Sequence, residues 1–184
     1  MEQPLLELLA GVLSRTAPSV IGIDGPAGSG KTALSAEIST FAEGAGKLVQ
    51  TIHMDDLYRG WSKPLNSDLY TRMRSIIEDH RNGAELTFSK YDWLRSEFSP
   101  AITYKSTDVL ILEGVGSCAT PVRPLYDLRI WIEVNKELGL QRVLTREPYL
   151  DMDLMRQWQI LERKHFAEDE TKSASDFSLS PDPS

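Results

Sequence analysis

The chain has 184 residues, of which 41% are hydrophobic and 26% are charged, and its net charge at pH 7 is -7. This length suits one domain with a sizeable core, and the composition is that of a globular protein. The negative charge disfavours general binding to nucleic acid or to anionic membranes. It leaves room for a local positive site that holds a small anion.

Cysteine usage and hydropathy indicate where the protein works. The single cysteine, Cys118, excludes an internal disulfide and fits a reducing cytoplasm. No uncharged apolar run approaches the roughly 20 residues of a membrane span. The acidic residues Glu2 and Glu7 argue against an N-terminal signal peptide. We therefore expect a cytoplasmic protein with neither a nucleic-acid nor a membrane partner, and the sequence leaves homo-oligomerisation open.

Short runs rich in β-branched residues alternate with segments of helical period along the chain. This pattern is typical of a parallel sheet covered by helices. The predicted elements, in chain order, are a helix around 5–13, a strand at 19–24, a helix from 31 to about 43, a strand at 47–54, a helix at about 67–81, strands at 108–114 and 127–134, and helices at 136–146 and about 151–168.

The last residues of the chain change in character. The stretch TKSASDFSLSPDPS is rich in serine, and its end is rich in proline. Its DFSL part permits an edge strand, but such terminal segments are commonly flexible. We predict a single domain over residues 1–176 and a flexible tail over residues 177–184.

The strongest chemical signal is GPAGSGKT at residues 25–32, which matches the phosphate-loop pattern. A predicted strand enters this stretch and a predicted helix leaves it, so backbone N–H groups and a helix N-terminus face one anion. Lys31 is expected to reach the β- and γ-phosphates, and the Thr32 hydroxyl to bind Mg²⁺. The nucleotide-binding residues are predicted to be Gly25, Ala27, Gly28, Ser29, Gly30, Lys31 and Thr32.

With this motif, the predicted fold is an α/β P-loop NTPase fold with a mostly parallel five-stranded sheet and helices on both faces. A phosphate loop alone does not separate kinases from switches or motors. A kinase also needs a carboxylate near the γ-phosphate to take the proton of the acceptor hydroxyl. Asp55 and Asp56 lie where such a carboxylate is required, just past the second strand.

Adjacent aspartates also open ordinary solvated turns, so the neighbouring residues matter. Tyr58 and Trp61 follow the two aspartates within the stretch HMDDLYRGW. Aromatic side chains beside a phosphate site favour an acceptor pocket over a plain surface turn. The sequence therefore indicates a kinase that binds a small molecule beside ATP.

Five stretches in order, GPAGSGKT, HMDDLY, KYDW, LILEG and RVLTRE, resemble the uridine/cytidine kinase and phosphoribulokinase group of P-loop kinases. The resemblance spans most of the chain. It implies that the protein transfers the γ-phosphoryl group of ATP to a hydroxyl of a small molecule. A nucleoside is the favoured acceptor by this resemblance.

The resemblance also implies roles for individual residues. Asp55 is the general base, and the implied metal site comprises Thr32, Glu113 and Asp55. A lid over residues 142–152 carries Arg146, which acts in catalysis beside Lys31 and Asp55, and Arg142, which binds the nucleotide. The expected acceptor-binding residues are Asp55, Tyr58, Tyr91, Trp93 and Arg95.

The sequence departs from the family at the acceptor site. Ser96 stands where nucleoside kinases of the family carry a histidine that recognises the base. A nucleoside monophosphate or a phosphorylated sugar therefore stays open as the acceptor, with Arg59 and Arg95 as candidate cations. A regulatory protein that binds ATP without catalysis is a second alternative, and it would not need Asp55. His53, Asp56 and Cys118 are left without an assigned role.

Overall fold

The computed structural model describes residues 1–180. The helices are α1 (Gln3–Leu13), α2 (Lys31–Gly44), α3 (Ser67–Arg81), α4 (Lys136–Arg146) and α5 (Met152–Asp169). The strands are β1 (Ser19–Asp24), β2 (Val49–His53), β3 (Leu86–Phe88), β4 (Tyr91–Asp92), β5 (Glu97–Phe98), β6 (Ile102–Tyr104), β7 (Val109–Glu113), β8 (Leu128–Ile132) and β9 (Phe177–Leu179).

A five-stranded sheet with the order β2-β7-β1-β8-β9 forms the centre of the molecule, and all its neighbouring strands run parallel. Every residue of β1 and β7 is buried, as expected for central strands covered on both faces. The register places Ile23 and His53 on either side of Glu113. Three strands thus end together at one edge, where ligands of such sheets bind.

Helices cover both faces of this sheet, which confirms the predicted fold class. Apolar side chains of α1 and α2, such as Leu9 and Ile38, pack on one face. Side chains of α3, α4 and α5, such as Met73, Val143 and Trp158, pack on the other. Within residues 1–180, no helix is both long enough and apolar enough to cross a membrane.

Two small antiparallel pairs lie between α3 and β7, where the element prediction places no strand. The outer strands β3 and β6 pair with each other, and the inner strands β4 and β5 form a hairpin. The hairpin turn is held by Asp92, whose Oδ1 accepts the backbone N–H groups of Leu94 and Arg95 at 3.0 Å each. This hairpin carries Trp93 toward the end of β2.

The predicted flexible tail is wrong for residues 177–179, which form strand β9 parallel to β8. Phe177 and Leu179 pack on the core, and alternate residues of a strand share a face. Asp176 anchors the start of the strand, because its carboxylate accepts hydrogen bonds from the Arg129 guanidinium at 2.6 and 3.0 Å. The domain therefore extends past residue 176, and residues 181–184 of the predicted tail lie outside the described residues.

Candidate active site

The phosphate loop runs from the end of β1 to the start of α2, and its glycines are required by geometry. Gly28 has a φ of 77°, and a Cβ atom there would lie 2.2 Å from the Gly139 carbonyl oxygen. Gly25 has a φ of 144°, and a Cβ atom there would lie 2.2 Å from the Ile132 carbonyl oxygen. The loop is thus packed directly against the backbone of β8 and α4.

Lys31 opens α2 and is 8% exposed. Its Nζ donates to the carbonyls of Gly25 at 2.8 Å and Pro26 at 2.7 Å, which belong to the loop itself. Burial lowers the pKa of Lys31, while the charges of Glu113 and Glu162 act in the opposite direction. The ammonium group therefore lies inside the loop, within electrostatic range of both carboxylates.

Glu113 is the last residue of β7 and is hydrogen-bonded to Thr32 at the start of α2. Its Oε1 accepts from the Thr32 hydroxyl at 2.8 Å and lies 2.5 Å from Nδ1 of His53. Burial alone would raise the pKa of Glu113, but the hydrogen bonds from His53 and Thr32 and the charge of Lys31 outweigh it and lower that pKa. The same contact raises the pKa of His53. Glu113 is therefore held ionised beside the Thr32 hydroxyl.

Asp55 follows β2 in a short 3-10 turn over Met54–Asp56. Its side chain is exposed to solvent, yet the surrounding cleft displaces enough water to raise the pKa of Asp55. The charge of Glu113 raises that pKa further, and the charge of Lys31 opposes it. The structure thus brings Asp55 into electrostatic range of both Lys31 and Glu113.

The hairpin fixes the two aspartates differently. The Trp93 indole donates to the backbone carbonyl of Asp55 at 3.0 Å. The carboxylate of Asp56 pairs with Nζ of Lys90 at 2.8 Å. Asp56 is therefore engaged with the hairpin, whereas Asp55 is held through its backbone with its carboxylate in the cleft.

Beside Asp55 lies an aromatic cluster, whose members contact one another in sequence. Ring centroids are 5.2 Å apart for Tyr91 and Trp93, 5.0 Å for Trp93 and Trp61, and 5.7 Å for Trp61 and Trp158. Trp61 is 38% exposed, so the cluster presents an open apolar edge. The aromatic cluster consists of Trp61, Tyr91, Trp93 and Trp158.

Tyr58 lies behind the aromatic cluster. It is 1% exposed, packs on Trp158 at 5.5 Å and donates its hydroxyl to the Val115 carbonyl at 2.6 Å. Tyr58 therefore supports the cluster from behind in this structure, and its contact with the acceptor stays a prediction. Its position follows from the turn after β2, in which Met54, Leu57 and Tyr58 are all buried.

The arginines are spread along the rim of the cleft. Arg142 on α4 donates to the Gly28 carbonyl at 3.4 Å, so it contacts the phosphate loop. Arg146 is exposed and donates a hydrogen bond to Glu147 at 2.7 Å. Its positive charge is near enough to Asp55 to offset part of the rise in the pKa of Asp55. Arg95 lies at the exposed hairpin turn, 3.7 Å from Asp92. The structure thus brings Arg142 and Arg146 to the site and leaves Arg95 outside it.

Sequence reasoning misses two carboxylates that hold the loop. Asp24 is buried and accepts N–H bonds from Gly25 at 2.8 Å, Cys118 at 2.9 Å and Gly116 at 3.0 Å. Burial raises the pKa of Asp24 to about 6, although these hydrogen bonds lower it in part. Glu162 is 3% exposed and accepts the backbone N–H of Ala27 at 3.0 Å.

A signal for Glu162 is present in the sequence. It follows Trp158 by four residues, which puts both on one face of a helix. Helical spacing alone groups Leu154, Trp158, Leu161 and His165 on one stripe of that helix. The buried residues of α5 are Met155, Trp158, Gln159 and Glu162.

Oxygen atoms suited to Mg²⁺ are present at the site. The Thr32 hydroxyl and the Glu113 carboxylate are 2.8 Å apart, and Mg²⁺ prefers oxygen ligands, of which the protein commonly supplies one or two. These two residues therefore fit the ion. Among residues 1–180, no group of three or more His, Cys, Asp and Glu side chains is arranged to hold a metal on its own.

Residues 62–149 match the model of the Phosphoribulokinase / Uridine kinase family. A uridine kinase of Staphylococcus aureus strain JH9 is 30% identical over 146 residues, which cover 71% of this chain and 69% of that protein. A similar match is found in strain Newman.

Solved structures share the fold. One is described as a possible uridine kinase from Bacillus stearothermophilus, with a TM-score of 0.65 and 19% identity over 96% of this chain and 100% of that chain. Another is a D-glycerate 3-kinase from Cryptococcus neoformans var. grubii, with a TM-score of 0.61 and 14% identity over 92% of this chain and 86% of that chain. Together with the strand order and the phosphate loop, these matches establish that the chain is a P-loop kinase of the phosphoribulokinase/uridine kinase family.

Proposed function

We propose that the protein transfers the γ-phosphoryl group of ATP, bound with Mg²⁺, to a hydroxyl of a small molecule, with a nucleoside as the favoured acceptor. The observation that carries this proposal is the position of Asp55. Its carboxylate lies at the carboxyl edge of the sheet, within electrostatic range of Lys31 of the phosphate loop and of Glu113. A base beside the γ-phosphate is what a kinase requires and a mere ATP-binding protein does not.

The donor side of the reaction is assigned to the phosphate loop. The loop from Gly25 to Thr32 wraps the phosphates, and Lys31 leaves the carbonyls of Gly25 and Pro26 to neutralise the β- and γ-phosphates. Thr32 and Glu113 would hold Mg²⁺, with Asp55 close enough to take part through water. When bound, the ion neutralises charge on the transferring phosphoryl group. Arg142 and Arg146 would add positive charge from the lid.

Asp55 acts on the acceptor. Its raised pKa makes the carboxylate a stronger base than an ordinary aspartate, and it stays ionised at pH values above that pKa. A hydroxyl placed within about 3 Å of the carboxylate is oriented toward the γ-phosphate and gives up its proton as the new bond forms. Such a base contributes roughly a hundredfold to ten-thousandfold to the rate.

The acceptor binds against the aromatic cluster. Flat, partly exposed rings such as Trp61 and Trp93 suit a base or a sugar face. Of the two candidate cations, Arg95 pairs with Asp92 at the hairpin turn, outside the site, and Arg59 is exposed. Arg59 therefore keeps a monophosphate or a phosphorylated sugar open as an alternative acceptor. The staphylococcal uridine kinase at 30% identity supports a nucleoside in particular. A kinase of this kind also fits the cytoplasm, where its donor ATP is made.

The test is acceptor-dependent release of ADP from Mg-ATP, with the phosphorylated product identified by mass. Nucleosides, nucleoside monophosphates, sugars and hydroxy acids are screened separately. The last class is included because a glycerate kinase shares the fold. We expect a nucleoside to raise ADP release well above the hydrolysis background. If ATP binds and no acceptor raises release, the regulatory ATP-binding alternative replaces the kinase.

A further inference from the structure

We infer that Glu162 of α5 is a positioning residue that holds the phosphate loop in the shape required by the γ-phosphate. The inference rests on the proposed use of ATP as donor. The carboxylate is 3% exposed, and its Oε2 accepts the backbone N–H of Ala27 at 3.0 Å. Ala27 lies in the first half of the loop, ahead of the helix N-terminus that binds the inner phosphates.

Contacts from α4 hold the same stretch of the loop. Gly139 of α4 lies so close that an added Cβ would be 2.7 Å from the Ala27 carbonyl oxygen. Arg142, also on α4, donates to the Gly28 carbonyl at 3.4 Å. The loop is therefore contacted by both α4 and α5.

A carboxylate at this buried position is costly, so its presence requires an explanation. Burial raises the pKa of Glu162, and the Ala27 N–H and the charge of Lys31 only partly offset that cost. An apolar side chain would pack there without such a cost, but it would leave the Ala27 N–H unpaired. The hydrogen bond to the loop is therefore the feature that only an acceptor at residue 162 supplies.

The same side chain also reaches toward the acceptor side. A hydrogen bond from the Trp158 side chain helps to hold the Glu162 carboxylate ionised. Trp158 packs on Tyr58 at 5.5 Å and on Trp61 at 5.7 Å, within the wall of the acceptor cleft. Glu162 thus joins the γ-phosphate end of the loop to the aromatic cluster through a single helical turn.

The test uses two substitutions that separate the hydrogen bond from the charge. Glu162→Gln keeps an oxygen acceptor at the same reach and removes the charge. Glu162→Asp keeps the charge and withdraws the acceptor by one methylene. The dissociation constants of Mg-ATP and Mg-ADP are measured by calorimetry, and stability is measured by urea unfolding.

We expect Glu162→Gln to bind ATP within about threefold of the wild type. We expect Glu162→Asp to lose about tenfold in ATP affinity and less than threefold in ADP affinity, because ADP lacks the γ-phosphate. A merely structural change would weaken both nucleotides alike. Gln159→Met is the matched control, since Gln159 is equally buried on α5 but donates to Lys136 at 2.8 Å rather than to the loop. It should lower stability and leave the ratio of ATP to ADP affinity unchanged.

Two results would overturn the inference. One is an unchanged affinity ratio in Glu162→Asp. The other is an equal loss in Glu162→Gln, which would assign the effect to charge. If the wild type binds ATP and no acceptor gives turnover, the kinase proposal fails while the binding data still decide the role of Glu162. If the wild type binds neither nucleotide, both proposals fall.

Discussion

Two side chains contact a single oxygen atom of Glu113, and this arrangement determines the role of the Glu113 carboxylate. The Thr32 hydroxyl and the His53 ring both contact Oε1, at 2.8 and 2.5 Å. His53 lies beside Glu113 because β2 pairs with β7. The His53 ring fixes the rotamer of Glu113, which the Thr32 hydroxyl also contacts. A carboxylate held in this way is pre-organised for Mg²⁺ next to the nucleotide.

Substitution of Glu113 tests this role. Glu113→Gln keeps the size and one acceptor oxygen but removes the charge that attracts the ion. We expect the Mg²⁺ concentration that gives half-maximal ADP release to rise at least about tenfold, which is the usual size of such a loss around a metal ligand. A magnesium titration at saturating ATP measures it. An unchanged titration midpoint would remove Glu113 from the metal site.

Asp24 gives a pH-dependent signature in stability. Its pKa is raised from 3.8 to about 6 in the folded protein, so the folded state binds more protons than the unfolded state between these values. The contribution of Asp24 to stability is therefore fully present below about pH 4 and is lost as the pH rises through about 6. Asn cannot titrate, and the NH2 group of its amide would face one of the three backbone N–H donors without accepting a hydrogen bond from it.

We accordingly expect Asp24→Asn to destabilise the protein most at acid pH, by about 1–3 kcal/mol, with a smaller difference at pH 7. Urea unfolding at a series of pH values measures the difference between the two proteins. Glu43→Gln on exposed surface is the control and should change stability by less than about 0.5 kcal/mol at each pH. A difference that widens as the pH rises would contradict the assignment.

At the scale of elements, the start of α4 is as important to the phosphate loop as the loop's own glycines. Gly139 lies in the interior of a helix, where glycine is normally unfavourable. It is tolerated because Ala27 and Gly28 approach too closely for any side chain. The position of α4 thus sets the position of the loop.

A pair of glycine substitutions separates packing from helix propensity. Gly139→Ala should destabilise the protein by about 1–3 kcal/mol and weaken ATP binding, because its Cβ meets backbone that must shift. Gly11→Ala in α1, where a Cβ meets nothing within 4 Å, should stabilise it by about 0.5–1 kcal/mol. Urea unfolding and ATP titration are measured for both. A stabilising Gly139→Ala would refute the close packing.

Elements with clear periodicity could be predicted from the sequence, and shorter ones could not. Helices α3 and α4 end where the pattern and the polar boundaries place them. Strands β4 and β5 have two residues each, which is too short for any alternation to be recognised. Helical periodicity alone does not reveal a buried acid, so it gives no indication that Glu162 lies on the inner face of α5.

At the scale of the molecule, the phosphate-loop motif and the alternating elements were enough to predict the parallel sheet and its helical layers. The motif predicts Lys31 and Thr32, and the end of the second strand predicts Asp55. The role of Glu113, the last residue of β7, is implied by the family resemblance. Contacts across large sequence separations were not predictable. The bond between Glu162 and Ala27 joins residues 135 positions apart, and no local pattern encodes it.

The edge strand β9 extends the domain, and its contribution to stability can be measured with substitutions. Phe177 is half-buried against the core, whereas Ser178 points outward from the same strand. Phe177→Ala should lower the free energy of unfolding by about 1–2 kcal/mol, less than for a fully buried ring. Ser178→Ala should change it by less than about 0.5 kcal/mol. Equal, negligible effects in both variants would restore the flexible tail.

The central claim is that Asp55 is the base of a phosphoryl transfer, and the neighbouring aspartates allow a direct test. ATP affinity and acceptor-dependent ADP release are measured for the wild type, Asp55→Asn and Asp56→Asn. We expect Asp55→Asn to bind ATP normally and to lose at least about a hundredfold in turnover. Asp56→Asn, whose carboxylate pairs with Lys90, should retain most of its turnover. Wild-type turnover in Asp55→Asn would contradict the account.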